Sequence, residues 1–193
     1  MSWTPYELDR LALSIVLAAK KRDQDLAADR REREGKPKDK TSSIGRESSL
    51  GSLNQIYKMR AACSYGLERF WGEHLRLAHA SDPVKPSQAE KQDKDKHKED
   101  QAKAAIIIDT WLSLVGVMAT AGIDLPNTVI DLNKGKHPQP LSADQISQVS
   151  HHIWNLPTME AQICLSVLTC LCDALVWWTQ RLKGGKPNQT EES

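Results

Sequence analysis

The chain has 193 residues and a formal net charge of +1. That length suits one domain, or one domain with appendages, and a near-neutral balance creates no global field for nucleic acid or an anionic membrane, so any basic footprint must be local. Its four cysteines, Cys63, Cys164, Cys170 and Cys172, include no C-x2-C pair, which argues against a zinc module and for free thiols in a reducing, cytoplasmic setting.

The opening Met1-Ser-Trp-Thr-Pro-Tyr-Glu lacks the basic-then-apolar order of a signal peptide. Thr4 as N-cap, Pro5 at the first helical position and Glu7 closing a capping box predict a helix start, with Trp3 and Leu8 at staple positions. The stripe Leu8, Leu11, Ala12, Ile15, Ala19 has helical spacing. From Lys20 to Glu34 the chain is mostly charged, and Gly35, Lys36 and Pro37 stop it. The predicted helix covers 5–34, about 45 Å at 1.5 Å per residue, with its charged half projecting from the core. Residues 35–49 read as a flexible linker by composition.

A second helix is predicted over 50–79, burying Leu53, Ile56, Tyr57, Cys63, Leu67, Phe70, Trp71 and Leu75. Gly66 and Gly72 each cost a helix interior up to ~1 kcal/mol against alanine and suggest a kink or a close helix approach. A loop follows over 81–87. Ser87 with Glu90 makes a capping box for a helix over 88–121. Its first half is charged, with acid-first i,i+4 pairs Glu90–Lys94 and Glu99–Lys103, and its second half, Ala104–Ala121, is apolar. After a loop over 123–141, Ser142 and Gln145 form a capping box and Leu141 and Ile146 a staple, opening a helix over 143–155. Pro157 breaks it, a last helix runs over 159–183, and 184–193 is a polar, disordered tail. No run alternates with period two. The expected fold is all-α: a single helical domain over 1–193, a helical bundle of about five helices with long charged helix overhangs.

Ala104–Ala121 and Ile163–Trp178 are apolar enough to raise the question of a membrane. The second is shorter than the ~20 residues that span a bilayer, and Asp109 in the first costs ~2.5–3.5 kcal/mol at a bilayer centre. Central helices of a soluble bundle, with no membrane, are the expectation. The polar residues of each helix form one stripe: Asp109, Ser113, Gly116 and Thr120 in the first, Ser166, Thr169, Asp173 and Gln180 in the second. Each stripe is either a thin solvent-facing seam or a place where helices approach closely. Facing aspartates buried together would share a proton.

The strongest catalytic lead is Arg69-Phe-Trp-Gly-Glu-His74. It resembles the Arg-x4-His motif of HEPN-fold ribonucleases. The resemblance, carried by six residues, implies an all-helical dimer that cleaves RNA without metal, with His74 as acid/base and Arg69 binding phosphate. On a regular helix these side chains point about 140° apart, so convergence requires a distortion at Gly72. His151 and His152 diverge as helix neighbours and cannot chelate one metal together. No Gly-rich phosphate loop, metal set or cofactor motif is present.

The binding leads are local. Arg30, Arg31 and Arg33, followed by Lys36, Lys38 and Lys40, are the candidate contacts for an RNA or DNA backbone, although interleaved acids also fit a solvated face. Trp71 and Trp177 are the candidate interface anchors, because tryptophan is enriched at binding hot spots. Trp178 continues the apolar line Cys164, Leu168, Leu171, Leu175, whereas Trp177 falls beside the polar stripe and should be the more exposed of the two. The functional expectation is a non-enzymatic binding protein: a small subunit or adaptor in a larger protein or nucleoprotein assembly, acting through a protein partner or self-association. The HEPN-like ribonuclease is the alternative.

Overall fold

The computed structural model describes residues 7–33, 52–79, 90–132 and 140–183. Among them the fold is an all-helical bundle with no strand. Helix α1 covers Leu8–Arg33, α2 Asn54–Ala62, α3 Leu67–His79, α4 Glu90–Thr120, α5 Ala143–Trp154 and α6 Thr158–Lys183. The linker at 35–49, the loop at 81–87, the tail at 184–193 and the caps expected at Thr4 and Ser87 lie outside the described residues. Glu7 is not the third residue of α1, as the expected capping box requires, but the residue just before it. It has φ 49° and precedes the helix, its carbonyl accepting from Leu11 N–H.

The helix expected over 50–79 is two helices. A single 3-10 turn, Cys63–Tyr65, follows α2, and Gly66 at φ 97° then separates it from α3. Only glycine takes that backbone conformation without strain. Gly72 plays no such part, since α3 runs through it and a side chain there would meet nothing within 4 Å. The two positions should therefore respond oppositely to alanine. Gly66→Ala is expected to cost about 1–3 kcal/mol, and Gly72→Ala to stabilise by up to ~1 kcal/mol, both read from denaturant midpoints. Equal signs would contradict this division of the helix.

The remaining boundaries follow from local chemistry. α4 ends in a Schellman motif: Gly122 N–H bonds Ala119 O and Ile123 N–H bonds Met118 O, with Gly122 at φ 77° and the buried Met118 and Ile123 as the accompanying apolar pair. α5 opens with the expected capping box, Ser142 Oγ accepting from Gln145 N–H and Gln145 Oε1 accepting from Ser142 N–H.

α1 packs on both α4 and α6, α3 on α4, and α2 on α6. Ala12, Ile15, Val16 and Ala19 of α1 meet the apolar faces of α4 (Ile107, Trp111, Leu114, Met118) and α6 (Cys164, Leu168, Leu171, Leu175) in one core. The charged half of α1 does not project alone. It runs antiparallel to α4, tied to its charged half by the Lys98–Asp29 ion pair and to the start of its apolar half by Arg22–Asp109. The expected pair Glu99–Lys103 forms at 3.0 Å. Asp109 and Asp173 do not face one another as a proton-sharing pair. Arg22 holds the first and Arg60 of α2 the second.

Asp23 links α1 to the start of α2 by accepting from Ser52 Oγ. Burial pushes its carboxyl above the usual aspartate value, outweighing the lowering by Ser52 and Leu53. A raised folded-state value means that the folded chain holds this proton more tightly than the unfolded one. The ionised form therefore weakens the fold above the folded value, and the penalty disappears as pH falls towards the unfolded value of 3.8. Asp23→Asn should stabilise the protein at pH 7, and the gain should vanish near pH 4. A gain equal at both pH values would place its origin elsewhere.

Between Ile123 and Leu132 the chain has no regular structure, yet Ile123, Leu125 and Ile130 are buried. This strap runs back over α3 and α4, and side chains satisfy its backbone. Trp111 Nε1 donates to Pro126 O at 2.8 Å, Trp71 Nε1 donates to Thr128 O at 2.8 Å, and Ile130 N–H donates to His74 Nε2 at 3.3 Å. The three contacts fall on alternate residues, as expected when an extended segment turns successive residues to opposite sides.

Candidate functional site

Outward-facing positions on α6 recur with spacing 4-3-4-3-4: Met159, Ile163, Ser166, Cys170, Asp173 and Trp177, each exposed. That is the spacing of the seam along which one helix accepts another. The apolar members stand at the ends, Met159 at 73 % exposure and Trp177 at 43 %. In the middle, Asp173 is tied to Arg60. Trp154 is a further exposed aromatic residue, shortly before α6 in the chain. It closes α5, is 61 % exposed, and is held by Nε1–H donation to Glu68 Oε2 at 2.8 Å. Glu68 also accepts from Ser150 Oγ, so α3 fixes the orientation of this outward indole.

Trp177 is oriented as well. The Arg181 guanidinium lies 3.2 Å from its ring centroid, a cation–π arrangement, and Trp178 packs edge-on with centroids 4.6 Å apart. The two neighbouring indoles are thus in contact, although a helix sends them about 100° apart. Trp178 is the less exposed of the pair, half-buried rather than fully in the core.

Two stretches have the length and composition of a membrane-crossing helix, Lys96–Thr120 and Thr158–Leu182. They differ in cover: 56 % of the apolar window of the first is buried inside the protein, but only 28 % of the second. α6 thus carries apolar surface that the rest of the described chain leaves open.

The other sequence-predicted positions divide clearly. Trp71 is 1 % exposed and is not a surface anchor; its indole N–H is committed to the strap. His74 is also 1 % exposed. Its Nε2 accepts from Ile130 N–H, which leaves Nδ1 as the protonated nitrogen, donating to Trp71 O. Arg69 is exposed, its guanidinium 5.1 Å from the Tyr65 ring centroid. With α3 regular through Gly72, the structure does not bring Arg69 and His74 together. Arg30 and Arg31 are exposed near the end of α1, and Arg33 is its last residue. Lys36, Lys38 and Lys40 lie outside the described residues. His151 packs against the Trp154 ring while His152 turns to Asp124 O. Among the described residues no group of three His, Cys, Asp or Glu is placed to hold a metal.

Sequence reasoning missed Trp154, Met159 and Ile163 as surface residues, and Tyr57, expected on the buried face of the second helix, is exposed. A signal existed for Trp154: Ile146, Val149 and Ile153 form the stripe of α5, and Trp154 stands about 100° off it. No family model, curated protein or solved structure matches the chain.

Proposed function

We propose that the protein is a non-enzymatic binding module, a small subunit or adaptor, that docks a protein partner along the exposed line of α6. The supporting observation is the combination on one helix of seam spacing, outward Met159, Ile163 and Trp177, and an apolar window that the bundle covers by only 28 %. Isolated exposed apolar residues are ordinary on any protein surface, but here Met159 and Ile163 at one end of a single seam and Trp177 at the other flank a polar middle, an arrangement that suits apolar anchors set around a polar contact. Trp177 has the chemistry of an anchor, a large ring whose orientation Arg181 and Trp178 fix before binding, so little side-chain freedom is lost on docking. An aqueous, cytoplasmic setting fits free thiols at all four cysteines and the Arg22–Asp109 pair within the apolar stretch of α4.

The test is Trp177→Ala against Trp178→Ala in the full chain. Trp177→Ala should weaken assembly by at least ~2 kcal/mol, roughly thirtyfold, measured on complexes recovered from the native host and by sedimentation for self-association, with little change in melting temperature. Trp178→Ala should act mainly on stability, by about 3 kcal/mol. A Trp177 variant that melts as early as the Trp178 variant, or assembles as wild type, would remove α6 as the docking face.

A further inference from the structure

A second surface lies away from the α6 line. A groove of about 930 Å³ runs between α1 and the strap, with α4 as its floor. The floor residues Ala102, Ala105, Ile108 and Leu112 follow helical spacing. Counted from Lys98 to Leu112, the floor is about 21 Å long at 1.5 Å per residue. Leu26 from α1 and Leu132 from the strap add apolar surface on either side.

The charges at its rim are asymmetric. Among the described residues the two lining cations, Arg22 and Lys98, each already hold a carboxylate of the groove, Asp109 and Asp29 respectively. Asp25 and Glu32, both exposed and three residues along α1 from Arg22 and Asp29 respectively, add negative charge to the same wall. The surface is an apolar trough with an acidic wall along α1.

We infer that this groove binds a basic amphipathic helix of a partner protein, about four turns long. Its apolar residues at i, i+3, i+4 and i+7 would lie on the Ala102–Leu112 floor, and its lysines or arginines would meet the α1 carboxylates. The small, partly exposed side chain of Ala105 in the middle of the floor allows the close approach of a helix, and the charge complementarity selects its sign. The site is independent of the α6 line and supplies the second contact that an adaptor needs.

The probe is a labelled helical peptide of about fourteen residues with leucines at i, i+3, i+4 and i+7 and lysines flanking them, compared with the same peptide carrying glutamates instead. Binding to the full chain is read by fluorescence anisotropy. The lysine peptide should bind at least about tenfold more tightly than the glutamate peptide, with the preference shrinking as salt rises. The double variant Asp25→Lys/Glu32→Lys, which changes only exposed positions, should reverse the order. Ala105→Trp, which fills the trough, should weaken the lysine peptide at least about tenfold. Trp177→Ala should leave the peptide affinity unchanged, which separates failure of this site from failure of the α6 reading. Equal affinity for the two peptides, an order that survives the charge reversal, or tight binding to an Ala105→Trp chain that folds as wild type would each overturn the inference. So would self-association that Asp25→Lys/Glu32→Lys abolishes, because the occupant would then be a second copy of the chain.

Discussion

Replacing Trp111 with alanine should lower stability by about 3–5 kcal/mol, and so lower the melting temperature by roughly 10 °C for a chain of this size. Trp111 is fully buried in the middle of α4, where its ring belongs to the core shared by α1, α3 and α6. Its removal leaves a cavity among rigid neighbours and also frees Pro126 O, which accepts its indole N–H. Trp111→Phe separates the two effects. It keeps most of the ring and loses the hydrogen bond, so about 1–2 kcal/mol of the loss should remain. Denaturant melts of the two variants check this. If the phenylalanine variant proves as unstable as the alanine variant, the strap contact rather than the core ring dominates. If both melt within about 2 °C of wild type, the indole is not a structural anchor.

His74→Ala should cost about 2–4 kcal/mol, because it leaves the Ile130 N–H in the strap without its acceptor and opens a space beside Trp71. The donor is buried, and an orphaned buried amide loses its full solvation. Arg69→Ala removes an exposed side chain stacked on Tyr65 and should change stability by less than ~0.5 kcal/mol. This contrast also bears on the HEPN resemblance. A ribonuclease would require both substitutions to abolish metal-independent RNA cleavage while the His74 variant stays folded. Loss of stability at His74 alone, with no cleavage by the wild-type chain, is the outcome expected for a residue that holds the strap.

The helical class and several boundaries were legible because they are written in short-range chemistry. Ser142 with Gln145 formed its capping box, Gly122 stopped α4, and the 3.6-residue periodicity of α1 selected its buried face. What escaped was whatever depends on partners distant in sequence. Gly66 and Gly72 look alike in the sequence, and only the backbone of the fold separates a break from a tolerated helical position. The strap read as an ordinary loop because nothing local marks Pro126, Thr128 and Ile130 as receivers of side chains from α3 and α4. Trp71 looked like an interface tryptophan for the same reason. Its indole N–H finds its acceptor at Thr128, 57 residues away. At the candidate site, the exposure of Trp177 followed from its register against the polar stripe. Trp154 was missed because a tryptophan off the apolar stripe of a short helix was not read as an outward residue. The charged halves of α1 and α4 each looked like a lone overhang, since the ion pairs between the two helices are invisible one helix at a time.

The groups that grip the strap are also chromophores. Trp71 and Trp111 are each fixed in a single orientation by their bonds to the strap carbonyls and set among packed side chains, so they make this unpatterned segment optically conspicuous in a protein whose backbone signal is otherwise helical. Release of the strap would free both indoles to reorient and admit water beside them, altering near-ultraviolet ellipticity and shifting their emission to longer wavelength while the far-ultraviolet helix signal stayed intact. The fold thereby carries a built-in distinction between loosening at the strap and melting of the bundle beneath it.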